Sequence, residues 1–351
     1  MTALTHRLVP PPPTDRSAGV WAAAWERLRR DRLGIGALGV VAAFLLLIFA
    51  SATGLVAGDW QLERGVPYAP PAFAGGQPGG PAEDGMRPAR GVARQAVDIA
   101  DVDPLAPRYA EWNSRAAKIV ESRPPPAQAL PLGADRWGRD VLAKAIKGTQ
   151  ISVFVGVFAA LLATAIGTLL GAAAGYFRGH AGDLIEWVYN VFTAIPGILL
   201  VFSFAAVFGR GIGTVILILG LTGWTGSYRL VRAEYIKHAA RDYVRAARAI
   251  GASQVSRIFV HIFPNISHVI LVQLSLLVVA FIKAEVILSF LGLGVPIEMV
   301  SWGTMLGEAQ NELITGKWWQ LAAATIFMTV FVTAFSLLTD ALRDALDPKL
   351  R

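Results

Sequence analysis

The stretch ISVFVGVFAALLATAIGTLLGAAAGYF, residues 151–177, holds no charged side chain. About 20 apolar residues are enough for a helix to cross the hydrocarbon core of a bilayer. Backbone amides find no water there, and a helix satisfies them internally. This run therefore predicts a membrane-spanning helix. Four more runs share its character: Leu33 to Ala57, Trp187 to Gly209, Gly211 to Tyr228 and Trp318 to Thr339; a fifth, Ile266 to Gly294, is apolar apart from His268, Gln273, Lys283 and Glu285. Pro196 inside the third predicts a kink, because proline removes one helical hydrogen bond. The reading is an all-α integral membrane protein with six transmembrane helices.

Composition agrees. Of 351 residues, 54 % are hydrophobic and 16 % charged, against about 25 % charged in a soluble chain. Mean hydropathy is +0.50. The absence of Cys excludes disulfides, thiolate metal sites and thiol catalysis. The net charge of +7 reads as arginine held in cytoplasmic loops rather than as a nucleic-acid surface. Arg27, Arg29, Arg30 and Arg32 precede the first run, which is too long for a signal-peptide core and reads as an uncleaved anchor.

Charge placement orients the spans. Six crossings put both termini on one side, with the loop between spans four and five. That loop carries Arg229, Arg232, Lys237, Arg241, Arg245, Arg248 and Arg257 against Glu234 and Asp242. The loop between spans five and six lies opposite, with Glu298, Glu308 and Glu312 against Lys317. The positive-inside rule then places both termini in the cytoplasm. The organisation that follows is a cytoplasmic tail (1–32), a first span (33–57), a long external loop (58–148), a five-helix core (149–342) with a cytoplasmic loop at 229–265, and a cytoplasmic tail (343–351). The external loop is rich in Pro and Gly, as in residues 67–71 and 75–80, and predicts an irregular segment with little core over 58–130. A short helix is expected within Asp101–Val120. A second, over Asp135–Lys147, is expected to lead into span two. Pro10 to Pro13 reads as a flexible tail.

The most informative polar stretch is Arg241 to Pro264. Arg241, Arg245 and Arg248 recur at i, i+4, i+7, and Tyr243, Ala247 and Ile250 recur at the same spacing roughly opposite. That pattern predicts a short amphipathic helix. Gly251 suits a left-handed C′ residue, and Ser253 can cap a second helix with Val255, Ile258, Phe259 and Ile262 as its apolar stripe. Pro264 marks its end or a bend into span five. Two readings stand for this helix pair. Basic amphipathic helices lie on membrane surfaces. A rigid pair can instead present a small apolar knob with a basic rim to a cytoplasmic partner, with Ala246, Ala247 and Gly251 keeping its surface low.

YVRAARAIGAS (243–253), closing at HIFPN (261–265), resembles the "EAA" loop of binding-protein-dependent ABC importer permeases. Four further stretches resemble the same family in order: PLGADRWGRDV (131–141), AEVILSFLGLG (284–294), SWGTML (301–306) and LRDALDPK (342–349). The chain is similar over about 130–351 to the C-type permease subunits of the oligopeptide/dipeptide family. Arg245 stands where the general motif has Glu, and His261 and Phe263 stand near its Ile and Leu. The external segment is longer than is usual there.

The resemblance implies a MetI-like core with one extra N-terminal helix and a place in the bacterial inner membrane. It implies a second homologous permease that shares the pathway, two ABC ATPase subunits on the cytoplasmic loops, and an external substrate-binding protein. The docking helix would comprise Tyr243, Val244, Arg245, Ala246, Ala247, Arg248, Ile250, Gly251 and Ala252, with Pro264 closing the loop. ATP and Mg²⁺ would sit on the partners, with no cofactor on this chain. The implied solutes are dipeptides, oligopeptides or related small molecules.

The residues offer no enzyme chemistry of their own. No stretch matches Gly-x4-Gly-Lys-Ser/Thr, since Gly316-Lys317 is followed by Trp318. His6, His180, His238, His261 and His268 show no metal-ligand spacing. Lys283 and Glu285 are ionisable groups inside span five. At i, i+2 they face different ways. Both could snorkel at the outer interface, or one could border the pathway. A stand-alone secondary transporter is the alternative class, though no internal repeat or paired intramembrane charge supports it.

Overall fold

The computed structural model describes residues 20–74, 103–118, 126–177, 179–296 and 298–346. Pro10 to Pro13, the glycine run at 75–80 and the end of the C-terminal tail lie outside them. Among the described residues thirteen α-helices follow in order: α1 (Val20–Arg30), α2 (Arg32–Ala52), α3 (Tyr109–Lys118), α4 (Val141–Tyr176), α5 (His180–Ala194), α6 (Gly197–Phe208), α7 (Ile212–Thr222), α8 (Trp224–Ala239), α9 (Asp242–Ala249), α10 (Gln254–Ser256), α11 (Phe263–Phe290), α12 (Trp302–Ile314) and α13 (Trp319–Leu346). Among the described residues there is no strand, only four isolated bridges.

Among the described residues five stretches are long and apolar enough to cross a membrane: Arg32–Ala52, Val141–Tyr176, Ile212–Ala239, Gln254–Phe290 and Trp319–Leu346. The third expected span is instead two helices, α5 and α6, bent by 88°. Counted as one broken span, the pair makes a sixth. The break falls at Ile195-Pro196, with Pro196 in the N-cap position of α6. The kink expected there is thus a full break, and Gly197 follows with no side chain to resist it. The first span is shorter than expected. It ends at Ala52, and turns through Gly54 and Ala57, both at positive φ, follow.

One seam explains how α4 sits. Gly167, Gly171 and Gly175 recur every fourth residue and present one bare stripe. A Cβ at Gly167 would lie 2.6 Å from the Trp224 carbonyl, at Gly171 2.8 Å from the Tyr228 carbonyl, and at Gly175 2.7 Å from the Arg232 carbonyl. The α8 backbone therefore lies directly on α4. Lipid gives helices no hydrophobic reason to associate, so close backbone approach and van der Waals contact hold such pairs together. The stripe continues as Gly156 against Ile282 of α11. Around it Val155, Ala159, Ile218, Leu219 and Ile282 form the apolar core.

α12 fills the loop between the last two spans, where only a short connection was expected. Ser301 starts it with a capping box: its Oγ accepts from the Thr304 N–H while the Thr304 Oγ1 accepts from the Ser301 N–H. On α4, Lys144 binds Glu308 of α12 at 2.5 Å and Gln320 of α13 at 3.0 Å.

Residues 61–142 form a compact unit of their own. Little core was expected over 58–130. Yet backbone bridges tie Gly65 to Ala127 and Pro71 to Leu130, and such pairing needs no apolar pattern. Asp135–Lys147 is not one helix. Asp135 Oδ1 accepts from the Trp137 and Arg139 amides, and Oδ2 pairs with Arg139 Nε at 2.7 Å. The aspartate closes a turn, and helix begins only at Val141. The short helix expected within Asp101–Val120 is α3.

Candidate functional site

The stretch singled out in the sequence leaves α8 through a tight turn, with the Arg241 amide bonded to the His238 carbonyl, and enters α9 at Asp242. Gly251 has φ +85°. Its N–H bonds to the Arg248 carbonyl, and the Ala252 N–H bonds to the Ala247 carbonyl. These two bonds form a Schellman motif, which is why glycine is needed there. Ser253 then caps the next helix by accepting from the Ser256 N–H.

Pro264 does not end that helix. Arg257–Ile262 runs as a π-helix, and the Phe263 amide reaches back five residues to the Ile258 carbonyl. The wider turn absorbs the donor that proline lacks, so the chain continues helical from Gln254 to Phe290.

The faces of α9 differ from the helical-wheel expectation. Val244 and Ala247 point inward, while Tyr243 and Ile250 are exposed. Ala247 is 4 % exposed, so it braces the helix and leaves Ala246 and Gly251 to form its low outer surface. Val244 packs in a cluster with Tyr235, Ile258, Ile262 and Ile266. Burying a side chain of this size contributes roughly 1.5–3 kcal/mol where the alternative is water. The expected stripe on the following helix splits likewise: Ile258 and Ile262 are buried, whereas Val255 and Phe259 are exposed.

Polar contacts finish the brace. The Tyr235 hydroxyl donates to the Ile258 carbonyl at 3.3 Å. The Tyr243 hydroxyl lies 2.7 Å from His238 Nδ1. Burial pushes the Tyr243 phenol above its ordinary pKa against the opposing charge of Arg241, so it is neutral at physiological pH. Arg257 stacks over the Tyr176 ring at 5.7 Å, linking the loop to the end of α4. Sequence reading missed Tyr176, Tyr235 and His238 as supports. Their only signal was aromatic or imidazole character at the ends of apolar runs.

What faces outward is a small, defined surface. Ile250 is 84 % exposed. Arg245 and Arg248 are exposed on the same short helix, with Arg245 paired to Asp242. A Cβ added at Gly251 would meet nothing within 4 Å. Ala252 is half-buried and Pro264 exposed.

Lys283 and Glu285 do point different ways. Lys283 is exposed, but Glu285 is entirely buried within the protein rather than snorkelling. Its Oε1 accepts from Ser289 Oγ at 2.6 Å. Among the described residues no group of three or more His, Cys, Asp or Glu is placed to hold a metal.

Apolar helices of membrane length, with a braced and exposed helix between two of them, define a multi-pass α-helical membrane protein. Comparison with known proteins makes this specific. Residues 167–351 match the family described as the binding-protein-dependent transport system inner membrane component. The chain belongs to this family: it is a permease component of such an inner-membrane transport system. It is 38 % identical over 233 residues to the dipeptide transport system permease protein DppC of Bacillus subtilis (strain 168), covering 66 % of this chain and 73 % of that one. It is 34 % identical over 247 residues to the oligopeptide transport system permease protein OppC of the same strain, covering 70 % and 81 %. It is 40 % identical over 220 residues to the glutathione transport system permease protein GsiD of Escherichia coli O6:K15:H31 (strain 536 / UPEC), covering 62 % and 72 %.

Proposed function

We propose that the chain pairs with a second, homologous permease to form a translocation pathway for peptides or related small solutes, and that two separate ABC ATPase subunits power it. The relatives named above are dipeptide, oligopeptide and glutathione permeases, which supports a peptide-like cargo. An external binding protein delivers that cargo. ATP and Mg²⁺ bind the ATPases, and this chain holds no cofactor and catalyses no reaction. Both termini face the cytoplasm, as the arginine-rich loop argues. Lipid surrounds the bundle, and nucleic acid has no part in it.

The observation that carries this reading is α9. Its inner face is packed and a Schellman motif stops its C-terminal end, yet Ile250 stands almost fully in the open. An exposed isoleucine on a braced helix fits a groove on a partner. In this reading Tyr243, Val244, Arg245, Ala246, Ala247, Arg248, Ile250, Gly251, Ala252 and Pro264 form the coupling loop (241–264), some by touching the ATPase and Val244 and Ala247 by holding the rest. Closure of the ATPases displaces α9. Because Val244 is packed on residues of α8 and of the helix leading into α11, both follow, a rigid-body switch.

The test is reconstitution of this chain with its partner permease, two ATPases and the binding protein in vesicles. ATP-dependent peptide uptake is expected. Uptake by the chain alone, driven by an ion gradient without ATP, would establish the secondary-transporter alternative instead. For orientation, a Cys introduced at Gly79 should react with an impermeant reagent added outside intact cells.

A further inference from the structure

α4 meets the coupling loop at one end and a buried ion pair at the other. Tyr176, its last residue, lies under the Arg257 guanidinium. Gly167, Gly171 and Gly175 press the same half of the helix onto α8, which leads into α9. Lys144 stands in the first turn. At a rise of about 1.5 Å per residue, Lys144 and Tyr176 are about 48 Å apart along the helix.

Only 1 % of the Lys144 side chain is exposed. An ammonium held out of water is costly unless an anion and further hydrogen bonds compensate it. Here both do. Lys144 Nζ donates to Glu308 Oε2 at 2.5 Å and to Gln320 Oε1 at 3.0 Å. Gln320 Nε2 closes the third side by donating to Glu308 Oε2 at 3.0 Å, and it also reaches the Met305 carbonyl at 3.3 Å. Glutamine suits this place because its amide both donates and accepts. The three residues come from three helices, α4, α12 and α13.

α12 is tied to α4 a second time. The Trp302 N–H donates to Ser152 Oγ at 3.2 Å, and a Cβ at Gly148 would lie 3.2 Å from the Ser301 backbone. Ties at both Trp302 and Glu308 fix the direction of α12, not only its position.

We propose that Lys144, Glu308 and Gln320 are positioning residues that make α12 and the start of α13 follow α4, so that a displacement of the coupling loop is carried along α4 to the opposite end of the bundle. Apolar residues of similar volume often give equal stability, so a buried charge is a poor staple. It is a directional one, because it sets which side chains meet. The cluster does not touch the cargo. The proposal rests on the reading of the chain as an ATP-driven permease whose helices rock between two states.

The test uses the complete reconstituted importer, with uptake and ATP hydrolysis counted per assembled complex. The chain has no native Cys, so spin labels can be placed at Phe154→Cys on α4 and Gln310→Cys on α12, both exposed positions. In the otherwise unaltered protein the distance between them should be narrow and the same with and without trapped nucleotide. Lys144→Met removes the charge and leaves Glu308, whose side chain is 26 % exposed, within reach of water, so the variant should assemble. It should broaden the distance in the trapped state. Uptake should fall about tenfold, within the range that substitutions between coupled sites produce, while ATP hydrolysis continues. Half-saturating cargo concentration should not move. A cluster that served stability alone would lower the melting temperature and leave uptake per complex as it was.

Gln320→Met keeps the ion pair and is milder. It should lower uptake about threefold with hydrolysis continuing, and it decides the matter if Lys144→Met does not assemble. A distance that changes with nucleotide in the native protein would overturn the proposal. So would normal uptake per complex in the variant that assembles, or a change in its half-saturation or cargo preference. Failure of the permease reading itself would show separately, as a lack of ATP-dependent uptake before any substitution.

Discussion

α4 and α9 lie at opposite extremes of the same chain. α4 runs unbroken over 36 residues, and half of its membrane-length window is buried, against 17 % for α2. Its glycines admit neighbouring backbone so closely that nothing can be added. α9 is eight residues long, packed on one face only, and ends in a glycine beside which there is open space. The contrast separates residues that hold the permease together from residues kept free for something else. It also shows that a small side chain has two meanings here: at Gly171 it admits a helix, and at Gly251 it permits a backbone angle.

The largest effect should come from filling the seam. Gly171→Leu forces a side chain into the Tyr228 carbonyl. Overpacking of this kind costs roughly 1–3 kcal/mol and at times more. The expected outcome is loss of folded protein, seen as a collapsed yield of monodisperse detergent-solubilised chain. Normal yield and melting temperature would break the account of α4.

Ala247→Glu comes next. On the helical wheel this position shares the outer face with Ile250, but the structure buries it. The variant should therefore lower thermal stability and expose the loop to protease, as well as abolish coupling.

Ile250→Ser and Gly251→Asp sharpen the comparison from the other side. Ile250 is so exposed that its loss should leave melting unchanged within error while uptake falls severalfold or more and ATP hydrolysis continues. Gly251→Asp carries some backbone strain at its positive φ, a cost of about 1 kcal/mol. It should still assemble.

The smallest effect concerns Asp103 and Tyr109 in the separate unit. The Tyr109 hydroxyl bonds the Asp103 carboxylate and, with the Leu105 amide, holds its pKa below the ordinary value. A depressed carboxylate contributes stability above its unfolded pKa and loses it as pH falls through the folded one. Hydrogen exchange at the start of α3 should thus quicken slightly only in acid, and Asp103→Asn should remove most of that dependence.

Much of the fold was legible because lipid imposes a simple rule, a charge-free run of sufficient length. The runs beginning at Leu33, Ile151, Gly211 and Trp318 could be read that way, and the one from Ile266 by its length despite Lys283 and Glu285, though not their ends. Hydropathy does not register a cap such as Thr53 after Ala52, or a polar continuation such as α8 beyond Tyr228. α12 escaped because it is short and mixed in character, although Ser301 and Thr304 carried its start signal. Pro264 misled because a π-turn can absorb a missing donor, which spacing cannot reveal.

The candidate site was legible as a helix and a glycine stop, but not in phase. An eight-residue helix offers two nearly equal apolar faces, Tyr243/Ala247/Ile250 and Val244/Ala247, and only Tyr235, Ile258 and Ile262 decide between them. Glu285 was visible as an oddity. Its complete burial was not, because the spacing of Lys283 and Glu285 says only that they face different ways, and its partner Ser289 looks like an ordinary small residue.

The most direct measurement is a photo-reactive amino acid at Ile250 in the assembled complex within native membrane. The account predicts an adduct with an ATPase subunit, strongest in the nucleotide-trapped state. Adducts with lipid alone, in every nucleotide state, would contradict it.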